Sequence, residues 1–357
     1  MKLVPLLMLT MAACAVDGAT DVESTEQAVG GGPCPTWGCG ANSPIMGTFM
    51  LDELDANGSP NASYVKVLDI VLKSNPSTKM KVNVVADRLF AVDNTVSPSK
   101  TYGGNDLLGA AIELSVGFPG VPTQRRNLYI RGITTKDTST TTFWQGKSDP
   151  VETYELYASV SQQELTKVER VCPNPPPAGS PDGEGRIWNS PFQSIIFTGD
   201  RYHADTKVAY DTDYASSAGW FNIACAGGAV AKLHLNRMTT AGTSADVTSS
   251  TNQRTAFLKM ITGDFCGTGA SFTQAGAPLY WTGNGLTGQD TGSNNLSRES
   301  WWNVNGAMCL DEQRMHNVSG AFYDYQSLIQ EACPKNPCTL YLKNNPPLFT
   351  SHGAGNN

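Results

Sequence analysis

The sequence predicts an α+β fold dominated by antiparallel strands, arranged as a sandwich or a barrel, with two packed helices in the C-terminal half and disulfide staples. Three observations support this prediction. The 357 residues include 35 Gly and 21 Pro, which divide the chain into many short segments joined by turns. Two segments of the C-terminal half carry apolar residues at helical spacing. Eight of the nine Cys follow a segment with the features of an export signal, which favours disulfides over free thiols.

The N-terminal segment has the features of that signal. Lys2 precedes an apolar run at 3–11 that is too short to span a membrane. Residues 11–14 read Met-Ala-Ala-Cys, which resembles a bacterial lipobox. We therefore expect a signal peptide at 1–13, lipid on Cys14 and a flexible, acidic tether at 14–33. Cleavage after Ala15, which would give a secreted protein, is the alternative to a lipid-anchored protein of the bacterial cell envelope.

Charge and motifs exclude several classes of partner. The net charge is −7 and the sequence has no basic stripe, which argues against nucleic acid. It has no phosphate loop and no dinucleotide fingerprint, so no cofactor is expected. The expected partner is a membrane, reached through lipid on Cys14, and envelope polysaccharide or another protein are further possibilities.

Residues 34–171 have the pattern of a β-rich N-terminal subdomain. The turn sequence at 55–58 lies between apolar segments at 47–54 and 64–72, which predicts a hairpin. Turn-rich stretches separate the further predicted strands, a spacing typical of a small sandwich or barrel. Those strands are Lys81–Val85, Ala111–Val116, Asn127–Gly132, Thr140–Trp144 and Tyr154–Val160.

The Pro/Gly-rich segment at 172–185 predicts a boundary, because prolines and glycines disfavour helices and inner strands. A second domain is expected at 186–343 and a flexible tail at 344–357. In this second domain, Ser194–Thr198 is a predicted strand and 199–204 a predicted turn. Further short β segments are expected at 271–272 and 278–281.

Two helices are predicted in the second domain. The first covers Asn222–Met238, where four apolar residues fall at i, i+3, i+4 and i+7. The second covers about Asn252–Thr262, with an N-cap at one of residues 249–251 and a stop at Gly263. The apolar residues of the first helix are Ala226, Ala229, Val230 and Leu233.

Several segments between Trp220 and Leu310 resemble the ADYC domain, a bacterial family found largely in exported proteins and lipoproteins. The matching segments are 219–232, 258–269, 272–273, 276–279 and 306–310. Of the name-giving Ala-Asp-Tyr-Cys motif, Asp264 and Cys266 are retained, whereas Gly263 replaces Ala and Phe265 replaces Tyr. The resemblance implies an exported protein with a single family fold and implies no activity.

Cys225 and Cys266 are the sharpest catalytic candidates. Cys225 lies near the start of the first predicted helix, where the helix dipole would favour a thiolate. With His234 or His316 as base, either Cys would make a cysteine hydrolase. The competing interpretation, which an exported protein favours, is a disulfide between Cys225 and Cys266 that staples the two helices.

The remaining cysteines suggest further disulfides. Cys34 and Cys39, like Cys333 and Cys338, are separated by four residues and look like local disulfide loops. Zinc held by these four thiolates is the alternative, although an oxidising compartment disfavours it. Cys172 and Cys309 then pair with each other or exchange partners with Cys225 and Cys266, and sequence alone leaves the connectivity open.

Two other groups could bind ligands. Asp200, His203 and Asp205 are close enough in sequence to hold a metal, but a polar turn is favoured, and no metal is expected. Trp301 and Trp302 could stack on sugars if they are exposed, and core packing is the favoured interpretation. We expect an envelope lipoprotein that is a non-catalytic binding or structural module, with the cysteine hydrolase and a carbohydrate-binding surface as alternatives.

Overall fold

A computed structural model provides the structure of the chain. It describes residues 43, 46, 51–134, 152–160, 166–172, 194–210, 219–225, 228–235, 249–273, 279–283, 298–311, 316–318, 321–323, 325–338 and 347–352. The strand predicted at 140–144 and the sequence predictions for residues 1–33 lie outside these ranges. Within them, no helix is both long enough and apolar enough to cross a membrane.

Eleven strands form one large antiparallel sheet, in the order β1-β13-β10-β8-β7-β6-β2-β3-β4-β5, with β9 paired to β8. Those strands are β1 (Leu54–Asp55), β2 (Val65–Leu72), β3 (Asn75–Val85), β4 (Arg88–Asp93), β5 (Lys100–Gly103), β6 (Ala111–Val116), β7 (Gln124–Thr134), β8 (Thr153–Ser159), β9 (Val168–Arg170), β10 (Ser194–Thr198) and β13 (Trp220–Cys225). A 3-10 turn at Gly104–Leu107 precedes β6.

Helices and smaller sheets complete the described fold. The helices are α1 (Ala229–Leu235), α2 (Thr251–Thr262) and α3 (Gln326–Ala332). The small sheets are β11 (Arg201–His203) with β12 (Val208–Tyr210), β17 (His316–Val318) with β18 (Ala321–Tyr323), and a four-stranded sheet of β14 (Tyr280–Gly283), β19 (Phe349–His352), β15 (Arg298–Asn303) and β16 (Gly306–Ala307). The predicted fold class, mostly antiparallel strands with few helices, is confirmed.

The large sheet curls around an apolar core and buries one face of its strands there. Along β3, Met80, Val82 and Val84 are buried while the residues between them are exposed, which is the pattern of a strand with one face in a core. The turn between β3 and β4 returns to β10, where the Thr198 N–H donates to the Ala86 carbonyl at 2.9 Å. The sheet is therefore barrel-like, and its core includes side chains from β2, β3, β6, β7 and β8.

Strands β10 and β13 form a wall between two cores. Ile196 and Ile223 face the core of the large sheet. Ile195, Phe197 and Ala224 instead face a second core built from α1, α2 and the four-stranded sheet. Because both faces of these strands are apolar, they show no alternation of apolar and polar residues.

This two-sided burial explains the main error in the sequence prediction. Residues 222–225, predicted as the start of a helix, are the end of β13, and the described helix begins only at Ala229. Of the four apolar residues at helical spacing, Ala229, Val230 and Leu233 lie on the helix, and Ala226 lies outside the described residues. Where a run of residues is continuously apolar, its periodicity alone does not distinguish a buried strand from a buried helix.

Helix α2 matches its prediction because its signals are local. The Ser250 side chain accepts the Gln253 N–H, and the Gln253 side chain accepts the Ser250 N–H, which forms a capping box. Gly263 ends the helix in the left-handed conformation, with φ of 66°. The predicted cap and stop are both confirmed.

Three other local predictions were wrong. β1 pairs with β13 rather than with β2, so residues 55–58 form a turn without forming the predicted hairpin. The segment 199–204 contains β11, and 271–272 form no strand.

The large sheet takes strands from both sides of the Pro/Gly-rich segment at 172–185, since β10 pairs with β8. A division of the chain there runs through a continuous sheet.

Candidate functional site

The structure places both candidate nucleophiles, Cys225 and Cys266, in disulfides, but they do not pair with each other. The bonds join Cys172 to Cys225, Cys266 to Cys333, and Cys309 to Cys338. The predicted pairs Cys225–Cys266 and Cys333–Cys338 were wrong. Of the alternatives left open for Cys172, pairing with Cys309 is wrong and the exchange of partners with Cys225 is confirmed. Cys34 and Cys39 lie outside the described residues.

The wall between the two cores is the physical reason for this connectivity. Cys225 ends β13 on the side of the large-sheet core and contacts Cys172 there, whereas Cys266 follows α2 in the other half of the fold. Cys338 lies with Cys309 and Trp301 in a small separate cluster. Because a disulfide sulfur carries no thiolate, neither Cys225 nor Cys266 is a nucleophile, and the cysteine-hydrolase prediction loses its catalytic group. The four-thiolate zinc site loses Cys333 and Cys338 in the same way.

His234, the predicted base, is buried and connects helix α1 to the turn between β3 and β4. Its Nε2 lies 2.7 Å from Oδ1 of Asp87, and both side chains are almost fully buried. Its ring stacks on Phe197 at 4.0 Å between centroids. Asp87 lies in the turn between β3 and β4, so this pair fixes the tip of that hairpin to α1. The described part of His316 is its backbone in β17, so its predicted role as a base stays untested.

Helix α1 also carries a buried lysine. Lys232 is 2% exposed, and burial lowers the pKa of its ammonium group to about 7. Its low exposure makes Lys232 part of the interior rather than a surface charge.

The predicted metal ligands do not converge. The Arg254 guanidinium donates two hydrogen bonds to the Asp200 carboxylate, and the bond from Nη2 to Oδ1 is 2.9 Å long. His203 Nδ1 accepts the Thr206 N–H at 3.3 Å, and His203 and Asp205 are exposed. Across the described ranges, no group of three or more His, Cys, Asp or Glu side chains could hold a metal. Asp200 is thus committed to an ion pair.

The paired tryptophans are core residues and do not form an exposed stacking platform. Trp301 is 5% exposed and Trp302 is fully buried, so the alternative of sugar stacking on these rings was wrong. The Trp302 indole N–H donates to Ser351 Oγ at 2.8 Å, and Ser351 Oγ donates to Glu299 Oε2 at 2.6 Å. This network satisfies the one polar atom of a buried indole.

The segment that carries the family motif is fastened by a buried ion pair. Lys259 Nζ donates to Asp264 Oδ2 at 2.8 Å, and the two side chains are at most 2% exposed. Lys259 also donates to the carbonyls of Thr206 and Gly267, and Asp264 Oδ2 accepts the Gly269 N–H. The motif aspartate therefore orders the loop that follows α2, and its contacts are structural.

Gly269 tests this account of the loop. It has φ of +90°, and a Cβ added there would lie 1.6 Å from the Asp205 carbonyl oxygen. We expect Gly269→Ala to lower the free energy of unfolding by about 1–3 kcal/mol, because backbone must move to admit one methyl group. Chemical denaturation measures the change. Gly120→Ala is the control, since it also has a positive φ but its Cβ would meet nothing within 4 Å. Equal losses in the two variants would contradict the steric argument.

A half-exposed group of aromatic and charged side chains, here called the Arg201 cluster, lies where β1, β11, β12 and β13 meet. The Arg201 guanidinium lies over the Trp220 ring at 4.1 Å and over the Tyr210 ring at 5.1 Å. Arg201 Nη2 is 3.3 Å from Glu53 Oε2, and the Tyr210 hydroxyl donates to Glu53 Oε1 at 3.0 Å. Asn222 accepts the Glu53 N–H at 3.0 Å. Arg201, Tyr210 and Trp220 are partly exposed, whereas Glu53 and Asn222 are buried.

Asp52, next to this cluster, is expected to make stability depend on pH. Burial, with the nearby Glu53 charge, raises its pKa from 3.8 to about 7. Its buried Oδ1 has no hydrogen-bond partner among the described residues, as suits a protonated acid. Because the folded state binds this proton more tightly than the unfolded state does, the stabilisation is present below pH 4 and is lost as the pH rises through 7.

Asp52→Asn, which mimics the protonated acid, is therefore expected to match the parent near pH 4 and to exceed its free energy of unfolding above pH 7. The expected gain is at least the equivalent of one pKa unit, about 1.4 kcal/mol. Urea denaturation from pH 4 to pH 8 measures it, and the exposed Asp106→Asn is the control. Parallel profiles for Asp52→Asn and the parent would refute the assignment.

The sequence analysis missed the buried polar residues that connect distant elements of the fold. Arg254 and Lys259 lie on α2, where only the apolar face was considered, and both are buried. Asp87 and Glu53 were assigned no role because their partners are distant in the chain. Asp264 was the available signal, since a family motif that keeps an acid invites a search for its cation.

The chain matches a known protein family. The model of the ADYC domain family matches residues 104–316, which is more than half of the chain and includes the predicted region 220–310. No curated protein and no solved structure matches the chain.

Proposed function

Because the chain belongs to the ADYC domain family, we propose that it is an exported cell-envelope lipoprotein acting as a non-catalytic binding or structural module. The three disulfides among the described residues indicate an oxidising, extracytoplasmic location. The proposal includes a lipid anchor on Cys14, a flexible tether at 14–33 and the absence of catalysis.

The observation that carries this proposal is what the motif residues do. Asp264 neutralises Lys259 inside the protein, and Cys266 bonds to Cys333. Both groups have their reactive atoms engaged in contacts that hold the fold together. A family motif used in this way supports a stable scaffold more strongly than it supports a reaction.

The Arg201 cluster supports binding as part of that role. Trp220, Arg201 and Tyr210 remain partly exposed although each contacts another member of the cluster. Arg, Trp and Tyr are the residue types most enriched where proteins bind partners. The proposed module would therefore offer a rigid surface held by β13 and the β11–β12 hairpin.

The proposal is tested by the intact mass of the purified mature protein, alkylated before and after reduction. The chain has eight Cys after Cys14. We expect no alkyl group before reduction and eight afterwards. Alkylation of Cys225 or Cys266 without reduction would overturn the non-catalytic proposal, because it would expose a thiol that can act as nucleophile.

The same spectra test the anchor separately. Lipid on Cys14 adds a diacylglycerol mass to a chain that begins at this residue, whereas plain secretion leaves an unmodified chain that begins after Ala15. The second result would remove the lipid anchor and leave the binding module in place.

A further inference from the structure

We propose that the loop between β6 and β7, residues 117–123, together with Tyr64 forms a membrane-contact tip for an anionic lipid surface. This function goes beyond the lipid anchor and does not depend on it. The loop reads Gly-Phe-Pro-Gly-Val-Pro-Thr and joins strands in the middle of the large sheet.

The tip exposes apolar side chains that the fold could have buried. Val121 is 51% exposed and Tyr64 is 46% exposed. Pro119 and Pro122 are also exposed. Phe118 packs edge-to-face with Tyr64, at 6.1 Å between ring centroids. Exposed apolar groups that cluster in this way mark an interaction site, whereas isolated ones do not.

The loop projects beyond the paired part of the sheet. The last paired residues of β6 and β7 are Val116 and Gln124, so seven residues extend beyond the ladder. A Cβ added at Gly120 would meet nothing within 4 Å, which places this residue in open space. A projecting apolar loop fits insertion among lipid headgroups better than it fits the enclosure of a peptide or small molecule.

Tyr64 is held in this position at an energetic cost. Its φ is 61°, a left-handed conformation that costs a non-glycine residue about 1–2 kcal/mol. The Asn61 side chain holds the turn by accepting the N–H groups of Ser63 and Val65. The Gly117 N–H donates to the Tyr64 carbonyl at 3.2 Å, which ties the tyrosine to the loop. The turn thus presents an aromatic ring beside the loop.

Basic residues lie in the row of the sheet directly behind the tip. Lys66 pairs with Ser115, and Ser115 pairs with Arg125 on the other side. Lys66 and Arg125 are exposed, and Arg126 is the next residue. The acids Asp69 on β2 and Glu113 on β6 lie opposite each other, and both contact Lys79 Nζ, at 3.6 Å and 2.7 Å. In a protein of net charge −7, this local positive charge behind an apolar tip is the arrangement that complements an anionic bilayer.

The apolar tip and the basic residues are each expected to bind a membrane weakly. Two or three apolar side chains and two basic residues give weak binding, since each basic residue contributes only about 1 kcal/mol near an anionic surface. If the chain is tethered through Cys14, the high local concentration makes weak contact sufficient to orient the fold on the membrane. The tip would then set which surface of the protein faces away from the bilayer.

The experiment measures co-flotation of the chain from residue 15 to 357 with phosphatidylcholine vesicles, with and without phosphatidylglycerol. Because this chain lacks Cys14, the result is independent of the anchor. We expect partition into the anionic vesicles that weakens with added salt. Val121→Asp should weaken it about tenfold or more, and Val121→Trp should strengthen it, because Trp favours the membrane interface. Arg125→Gln should weaken it about fivefold.

Matched controls lie at the opposite end of the sheet. Val96, 46% exposed, lies in the β4–β5 loop, and Lys100 is an exposed residue of β5. Val96→Asp, Val96→Trp and Lys100→Gln should leave vesicle binding unchanged. No partition into anionic vesicles, or equal effects at positions 121 and 96, would overturn the proposal and would leave a protein partner as the use of this tip. Loss of folding would reduce binding in both Val121 variants, so the gain expected for Val121→Trp separates the two causes.

Discussion

Replacing Asp264 with Ala is expected to lower the free energy of unfolding by about 3–5 kcal/mol. Lys259 is 1% exposed, so the substitution would leave its ammonium group buried without the carboxylate that neutralises it. The carbonyls of Thr206 and Gly267 would still accept hydrogen bonds from Lys259, but they carry no net negative charge. Guanidinium denaturation of the parent and the variant measures the loss.

Two variants show whether the buried charge causes this loss. In the Lys259→Met background, Asp264→Leu should cost much less than Asp264→Ala costs in the parent, because no charge is then left unpaired. Glu113→Ala breaks the exposed pair with Lys79, and it should cost no more than about 1 kcal/mol. An Asp264→Ala effect as small as that of Glu113→Ala would show that the motif aspartate is not structural.

The same segment explains how this chain departs from the family motif. Phe265 is fully buried against Trp302, at 4.8 Å between ring centroids, so it fills its place without the hydroxyl that the motif's tyrosine would add. Gly263 occupies the left-handed position at the end of α2, and a Cβ there would lie 2.7 Å from Thr273 Cγ2. An alanine at this position would require Thr273 to move, and glycine avoids that contact.

Local signals explain why parts of the fold were predictable. The capping box of Ser250 and Gln253 and the stop at Gly263 involve residues within one turn of α2, and they gave its bounds almost to the residue. Strands β2 and β6 were also predicted, because fully buried side chains alternate with less buried ones along much of each strand. Strand β13 failed because both of its faces are buried, and its apolar run then resembles a helix.

The candidate site could not be predicted, because its contacts join distant parts of the chain. Asp87 meets His234, and Glu53 meets Arg201, across more than one hundred residues. Nothing in the spacing of these residues indicates the pairing. Sequence left the disulfide connectivity open for the same reason: Cys172 and Cys225 are 53 residues apart, and the wall of β10 and β13 determines which cysteines share a core.

Removing the Cys172–Cys225 disulfide, by replacing both residues with Ala, is expected to lower the free energy of unfolding by about 4 kcal/mol, the chain-entropy value for a loop of this length. The bond joins the segment after β9 to the end of β13, so it closes the large sheet across the Pro/Gly-rich segment. Guanidinium denaturation under oxidising conditions measures the loss. In excess reductant the parent should lose at least as much, because all its disulfides then open.

This stability difference connects the fold to its compartment. With typical domain stabilities of about 5–15 kcal/mol, losing several disulfides at about 2–5 kcal/mol each removes much of the margin. We therefore expect the chain to accumulate as folded protein when it is exported and to be degraded or aggregated when it is made without residues 1–13 in a reducing cytoplasm. Pulse-chase comparison of the two forms measures this. Equal lifetimes, with all cysteines reduced in the cytoplasmic form, would show that the fold does not need its disulfides.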